Sequence, residues 1–292
     1  MDPSWFETPG CAGLLTMRGL VDDIRTALPM LLERAGTLDL DDQTLEYREY
    51  RPEDPHVPTL VLLHEGLGSL GLWRDFPEKL ADETRFRVFA YSRAGYGASS
   101  PVPLPRPLTY MHEEAQRVLP QLLEIIEADD VVLVGHSDGA SIAAIYAGTF
   151  DDPRLRGISL MAPHFIVEDV SVRSIAEAKT AYETTDLRDK LAKWHTNVDV
   201  AFRGWNDAWL DAEFRNWDIR DFLAEIEVPV QIIQGEGDQF GTIRQIELAR
   251  EKLREAPDVL LMKDVKHAPW KEGTEATLEA IAAFCERVTA QG

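Results

Sequence analysis

The chain has 292 residues, 45% of them hydrophobic and 28% charged, which suits one large folded domain or two small ones and excludes a disordered chain. A formal net charge of −21 disfavours nucleic acid and anionic membrane surfaces as partners, because phosphate is repelled where binding needs neutralisation. No apolar run approaches the roughly 20 residues of a membrane helix, the N-terminus has no basic start followed by an apolar segment, and Cys11 and Cys285 form neither a metal spacing nor a disulfide framework. The expectation is a cytoplasmic protein with no membrane partner.

Residues 1–36 read as an N-terminal helical extension, since Leu20, Ile24, Leu28, Leu31 and Leu32 keep helical spacing, interrupted by Pro29. Residues 37–40 and 44–51 alternate in polarity around Asp41 and Asp42, the pattern of a hairpin. Residues 59–63 are a short continuous apolar run, as expected of a strand buried on both faces. Similar runs recur at 86–91, 131–134, 158–161, 230–233 and 259–262, with helical patterns at 72–83, 110–127, 140–147, 242–254 and 275–288. Strands alternating with helices predict an α/β fold, a mostly parallel doubly wound sheet covered on both sides. Between Pro163 and Pro229 the rhythm stops. Helices are predicted at 174–182, 187–194, 198–210 and 218–226, and four of the seven tryptophans lie there: Trp194, Trp205, Trp209 and Trp217. The expected division is a core of 37–163 and 228–292 with an inserted helical cap at 164–227.

Chemistry concentrates at Gly135-His136-Ser137-Asp138-Gly139, between a predicted strand and a predicted helix. A G-x-S-x-G elbow needs that context, a sharp turn that lifts the serine hydroxyl clear of the sheet. A hydroxyl is a poor nucleophile until a base takes its proton. Of seven histidines, His267 lies in the loop after the last predicted strand, where a side chain reaches the C-terminal edge of the sheet. An acid partner is expected after the strand at 230–233. Asp238 is preferred there and Glu236 is the rival. The glycines of His64-Glu65-Gly66-Leu67-Gly68-Ser69 suit a backbone that turns an N–H toward the nucleophile. The oxyanion donors are expected to be the N–H groups of Asp138 and Gly66, with Leu67 as alternative.

These motifs, with Trp73, Ser92-Arg93-Ala94-Gly95-Tyr96-Gly97, residues 235–238 and His267-Ala268-Pro269, resemble the α/β-hydrolase superfamily from about residue 37 to residue 288. The resemblance implies a serine hydrolase with a helical cap, acting by acyl transfer to water without metal or organic cofactor. Three positions depart from the usual pattern: Glu65, where glycine is common, Ser92, where aspartate is common, and Asp138, where a neutral residue is usual. A serine nucleophile argues against the relatives that use aspartate, the haloalkane dehalogenases and epoxide hydrolases.

Asp138 and Glu65 are candidate substrate-binding carboxylates, and Trp205 and Trp209 are candidate cap contacts. Asp138 also suits a helix N-terminus, where free N–H groups stabilise a carboxylate. Arg74 and Arg93 read as salt-bridge partners in an acidic protein. The expected substrate is a small carboxylic ester, neutral or cationic, taken by a monomer or homodimer. Other readings of the same residues are a C–C bond hydrolase acting on ring-fission diketones, a lactonase or amidase, and a low-turnover small-molecule receptor.

Overall fold

The computed structural model describes residues 31–51 and 56–290. Eight strands form one sheet: β1 (Leu32–Leu40), β2 (Gln43–Arg51), β3 (Thr59–Leu63), β4 (Arg87–Tyr91), β5 (Val131–His136), β6 (Leu155–Met161), β7 (Val230–Gly235) and β8 (Asp258–Met262). Their order is β1-β2-β4-β3-β5-β6-β7-β8. The β1–β2 and β2–β4 pairs are antiparallel, and every other pair is parallel. The parallel strands β3 and β5 are wholly buried, which is why they read as continuous apolar runs.

The pleat sends alternate residues of these strands into two cores. Val61, Leu63, Val131 and Leu133 face one core, which also takes Ile142 and Ile145 of α4 (Asp138–Thr149). Leu60, Leu62, Val132 and Val134 face the other, with Phe76 and Leu80 of α1 (Phe76–Thr84) and Ile281 and Phe284 of α11 (Thr274–Thr289). From β3 the chain moves to β4 on one side and later to β5 on the other. The C-terminal ends of β3 and β5 thus flank a topological switch point, where open α/β sheets bind ligands.

The sheet begins earlier than the sequence pattern indicates. Residues 1–30 of the expected helical extension lie outside the described residues, but residues 32–36 belong to β1 rather than to a helix. Residues 32–37 are all exposed, so this part of the strand has no buried face to betray it, whereas residues 37–40 pair with β2 in the expected hairpin. The pattern at 110–127 is one helical run in three parts: α2 (Tyr110–Glu113), a π-helical turn at Glu114–Val118, and α3 (Leu119–Ile125). Pro120 lacks the N–H that an α-helix would direct back to residue 116, and the wider turn accommodates that loss.

Between β6 and β7 the chain forms α5 (Asp169–Thr184), α6 (Leu187–Leu191), α7 (Val198–Leu210) and α8 (Arg220–Glu225). Tyr182 stacks on Phe202 at 3.7 Å between ring centroids, joining α5 to α7. His195, in the loop before α7, accepts the Gly97 N–H at Nδ1 (3.0 Å) and lies with Nε2 3.2 Å from the Leu67 carbonyl. These bonds tie the helical segment to two loops of the sheet edge. The remaining helices are α9 (Ile243–Lys252) and α10 (Pro269–Glu272). Among the described residues, no helix is long and apolar enough to cross a membrane.

Candidate active site

Ser137 occupies the turn from β5 into α4 with φ 53° and ψ −115°. Positive φ is costly for a residue with a Cβ, so the surroundings must impose it. The Ser137 N–H donates to the Met161 carbonyl at 2.9 Å, tying the turn to β6. The flanking glycines permit the close packing. A Cβ on Gly139 would collide with the carbonyls of Leu63 and His64, and one on Gly135 with the backbone of Gly139 and Ala140.

His267 follows β8, and its Nδ1 lies 2.8 and 3.0 Å from the two carboxylate oxygens of Asp238. Asp238 also accepts the backbone N–H groups of Phe240 (2.8 Å) and Gly241 (3.1 Å). Burial acts to raise the Asp238 pKa, but the charge and hydrogen bond of His267 outweigh it and hold the carboxyl below its ordinary value. An ionised Asp238 keeps the proton on Nδ1 and the lone pair on Nε2. The rival, Glu236, is exposed, and the side chain brought to His267 is that of Asp238.

Ser137 and His267 line one cavity of about 80 Å³, whose accessible wall is mostly apolar. Glu65, Gly66 and Leu67 contribute from the loop after β3, Ile175 from α5, and Trp205 and Trp209 from α7. Trp205 packs so closely on Gly66 that a Cβ there would overlap the indole. The Glu65 carbonyl accepts from Arg93 Nη2 (2.8 Å), His64 Nδ1 (2.7 Å) and the Gly68 N–H (3.0 Å). A carbonyl held by three donors fixes its trans peptide plane, and the N–H of Gly66 points the opposite way.

His136, fully buried beside Ser137, links the loops. Its Nε2 donates to the His267 carbonyl at 2.7 Å, Trp270 Nε1 lies 3.2 Å from its Nδ1, and Glu65 Oε2 lies 3.3 Å from the same atom. Burial acts to raise the Glu65 pKa, and the neighbouring His136 more than offsets it, so the carboxyl pKa lies below its ordinary value.

Two expectations need correction. The Asp138 carboxyl does not serve as an accessible partner for a substrate cation. It is fully buried, Oδ2 accepts from Tyr110 at 2.5 Å, and burial pushes its pKa up against the opposing pull of Arg93 and Tyr110. Tyr110 in turn accepts from Trp209 Nε1 at 3.0 Å, so the carboxyl belongs to a buried chain from elbow to α7. Arg74 and Arg93 form no salt bridge among the described residues. Arg93 is fully buried and donates to carbonyls of the β3 loop, while the Arg74 guanidinium stacks 4.0 Å over Trp194. The sequence reading also missed His164, on the cavity wall just past β6. The available signal was its position at the C-terminal end of a parallel strand.

A sequence model of the alpha/beta hydrolase fold family matches residues 58–216. A protein of Synechocystis sp. that carries the provisional name non-heme chloroperoxidase is 25% identical over 190 residues, 53% of this chain. The chain spans less than two thirds of that relative, 65% of its length. Among solved structures, a membrane phospholipase A described as a bacterial virulence factor superposes with TM-score 0.68 at 22% identity, covering 88% of this chain and 87% of its own. Proline iminopeptidase of Mycobacterium smegmatis superposes with TM-score 0.67 at 17% identity, covering 87% and 98%. At such identities the likeness to solved structures is one of fold.

Proposed function

We propose that this chain, which belongs to the α/β-hydrolase fold family, is a serine hydrolase that cleaves a small carboxylic ester through an acyl-enzyme. The observation that carries the reading is the convergence of a positive-φ Ser137 and an Asp238-oriented His267 on one cavity. Ser137 Oγ attacks the carbonyl carbon while His267 Nε2 takes its proton. The tetrahedral oxyanion rests on the N–H groups of Asp138, at the start of α4, and Gly66. The clamped Glu65 carbonyl supports Gly66 over Leu67 for the second donor. Collapse of the intermediate expels the alcohol, protonated by His267. A water deprotonated by the same imidazole then attacks the acyl-enzyme and releases the acid, restoring Ser137.

The cavity's modest volume and mostly apolar wall support a small substrate. With Asp138 sealed, Glu65 is the wall's partly exposed carboxylate, and Arg74 and Lys271 line the same cavity. The mixture of signs favours a neutral ester over a cationic one. Residues 164–227 serve in this reading as the cap, since α5 and α7 supply wall residues. Ser137→Ala tests the mechanism. Turnover of short-chain esters should fall by several orders of magnitude, to the roughly 10³–10⁴ over water left by binding and the oxyanion donors. A fluorophosphonate should label Ser137 in the unaltered protein. Normal turnover in the variant would remove Ser137 as nucleophile.

A further inference from the structure

His164 is held firmly and yet is incompletely satisfied. Its carbonyl accepts from Ser141 Oγ at 2.7 Å, and the next residue's N–H donates to Gln245 Oε1 at 2.8 Å, so the backbone is pinned on both sides of the ring. The imidazole meets the Trp209 indole edge-on, 5.1 Å between centroids, and lies 5.7 Å from the His267 ring. It is 2% exposed and lines the cavity that holds Ser137. Its Nδ1 is buried without a hydrogen-bond partner among the described residues. Buried polar atoms in native proteins are nearly always paired, so an unpaired nitrogen on a ring of the cavity wall has hydrogen-bonding capacity left for a partner in the cavity.

Charge does not explain the residue. Burial and the neighbouring His267 lower its pKa to about 3, so the ring is neutral wherever a histidine base can work. A neutral imidazole offers one donor and one acceptor. A ring centred 5.7 Å from that of His267, on the wall of the same cavity, is within hydrogen-bonding range of a group carried close to the ester.

Resting on the ester-hydrolase reading above, we propose that His164 is a specificity residue that hydrogen-bonds an uncharged polar group borne by the substrate next to the scissile ester. The substrate class is therefore narrower than small apolar esters. It comprises esters with a hydroxyl, amide or similar neutral group one or two atoms from the ester, on the acyl or the alcohol side.

Matched pairs test this, differing by hydroxyl against methyl: phenyl 2-hydroxypropanoate with phenyl 2-methylpropanoate, and 2-hydroxyethyl acetate with propyl acetate. The hydroxylated member of at least one pair should be preferred about tenfold or more in kcat/KM. His164→Phe, which keeps an aromatic ring against Trp209, should bring that ratio toward one, and His164→Gln should restore part of it. The acid limb of the pH profile should stay where it is, because His164 is neutral across that range. No preference in either pair, or a preference that survives His164→Phe while both esters slow together, overturns the proposal and leaves ester hydrolysis standing.

If no ester turns over, 2-hydroxypropanamide and 2-methylpropanamide are compared as protectants of Ser137 against the fluorophosphonate. Stronger protection by the hydroxyl compound, lost in His164→Phe, upholds the polar subsite and sinks the esterase reading. Equal or absent protection overturns the subsite, and a Ser137 that does not label overturns both.

Discussion

At the scale of single residues, the divergent settings of two nearby acids separate their roles. Asp238 has 1% side-chain exposure and takes three kinds of donor: His267 Nδ1, two backbone N–H groups and Gln234 Nε2. Glu236, two positions earlier, faces solvent. Asp238→Asn keeps the shape but offers an amide to Nδ1, which favours the wrong tautomer. In a triad this lowers kcat by about 10⁴. Glu236→Gln should stay within a few-fold of the unaltered protein. Steady-state kinetics on one neutral ester measures both, and a reversed order would transfer the role to Glu236.

At the scale of elements, α7 and the β3 loop meet on the wall of the cavity. Gly66 touches the Trp205 indole where any side chain would intrude. A Cβ at residue 66 must therefore displace the indole or the loop that carries the proposed oxyanion donor. Gly66→Ala should lower kcat/KM by about 10²-fold, the order of effect expected when an oxyanion donor is misplaced. Adding Trp205→Ala opens the space, and the double variant should recover part of the loss. Activity of Gly66→Ala equal to that of the unaltered protein would show that the loop is not positioned by this contact. Trp209, one turn along α7, reaches Tyr110 and through it Asp138, so one helix touches both the β3 loop and the residue that follows Ser137.

At the scale of the whole molecule, buried neutral histidines make the fold acid-sensitive. His195 joins the helical segment to Gly97 and Leu67, and accepting the Gly97 N–H requires an unprotonated Nδ1. Burial lowers its pKa from 6.5 to about 4. Above pH 6.5 neither folded nor unfolded chain is protonated there, and the group's stabilisation is complete. As pH falls from 6.5 toward 4, the unfolded chain takes the proton first, and stability declines by up to about 1.4 kcal/mol per pH unit. Asp138 and Glu114, whose pKa values burial raises, act in the opposite direction, so the comparison must be between variants. His195→Gln should be less stable at pH 7 but lose less between pH 7 and pH 4.5, as measured by Tm across that range. A parallel decline in both proteins would remove His195 from the acid response.

What the sequence by itself determined is whatever local pattern encodes. Continuous apolar runs marked the buried parallel strands, and glycine spacing around Ser137 marked the elbow, because pleat and steric crowding act over a few residues. His267 and the loop that holds both Asp238 and Glu236 were legible because loops after parallel strands open on one edge of the sheet. Residues 37–40 were legible as one arm of the hairpin, but residues 32–36 of β1 were not, since an exposed edge without a buried face has no period to read. The tertiary structure alone decided the fate of the charges. Whether Asp138 meets a substrate or Tyr110, whether Arg74 meets a carboxylate or Trp194, and which of Asp238 and Glu236 touches the imidazole all depend on residues distant in sequence. So does the setting of His164, neutral beside His267 and with an unpaired Nδ1, because burial, which lowers its pKa and isolates that nitrogen, exists only once β6, α7 and the β7 loop have packed together.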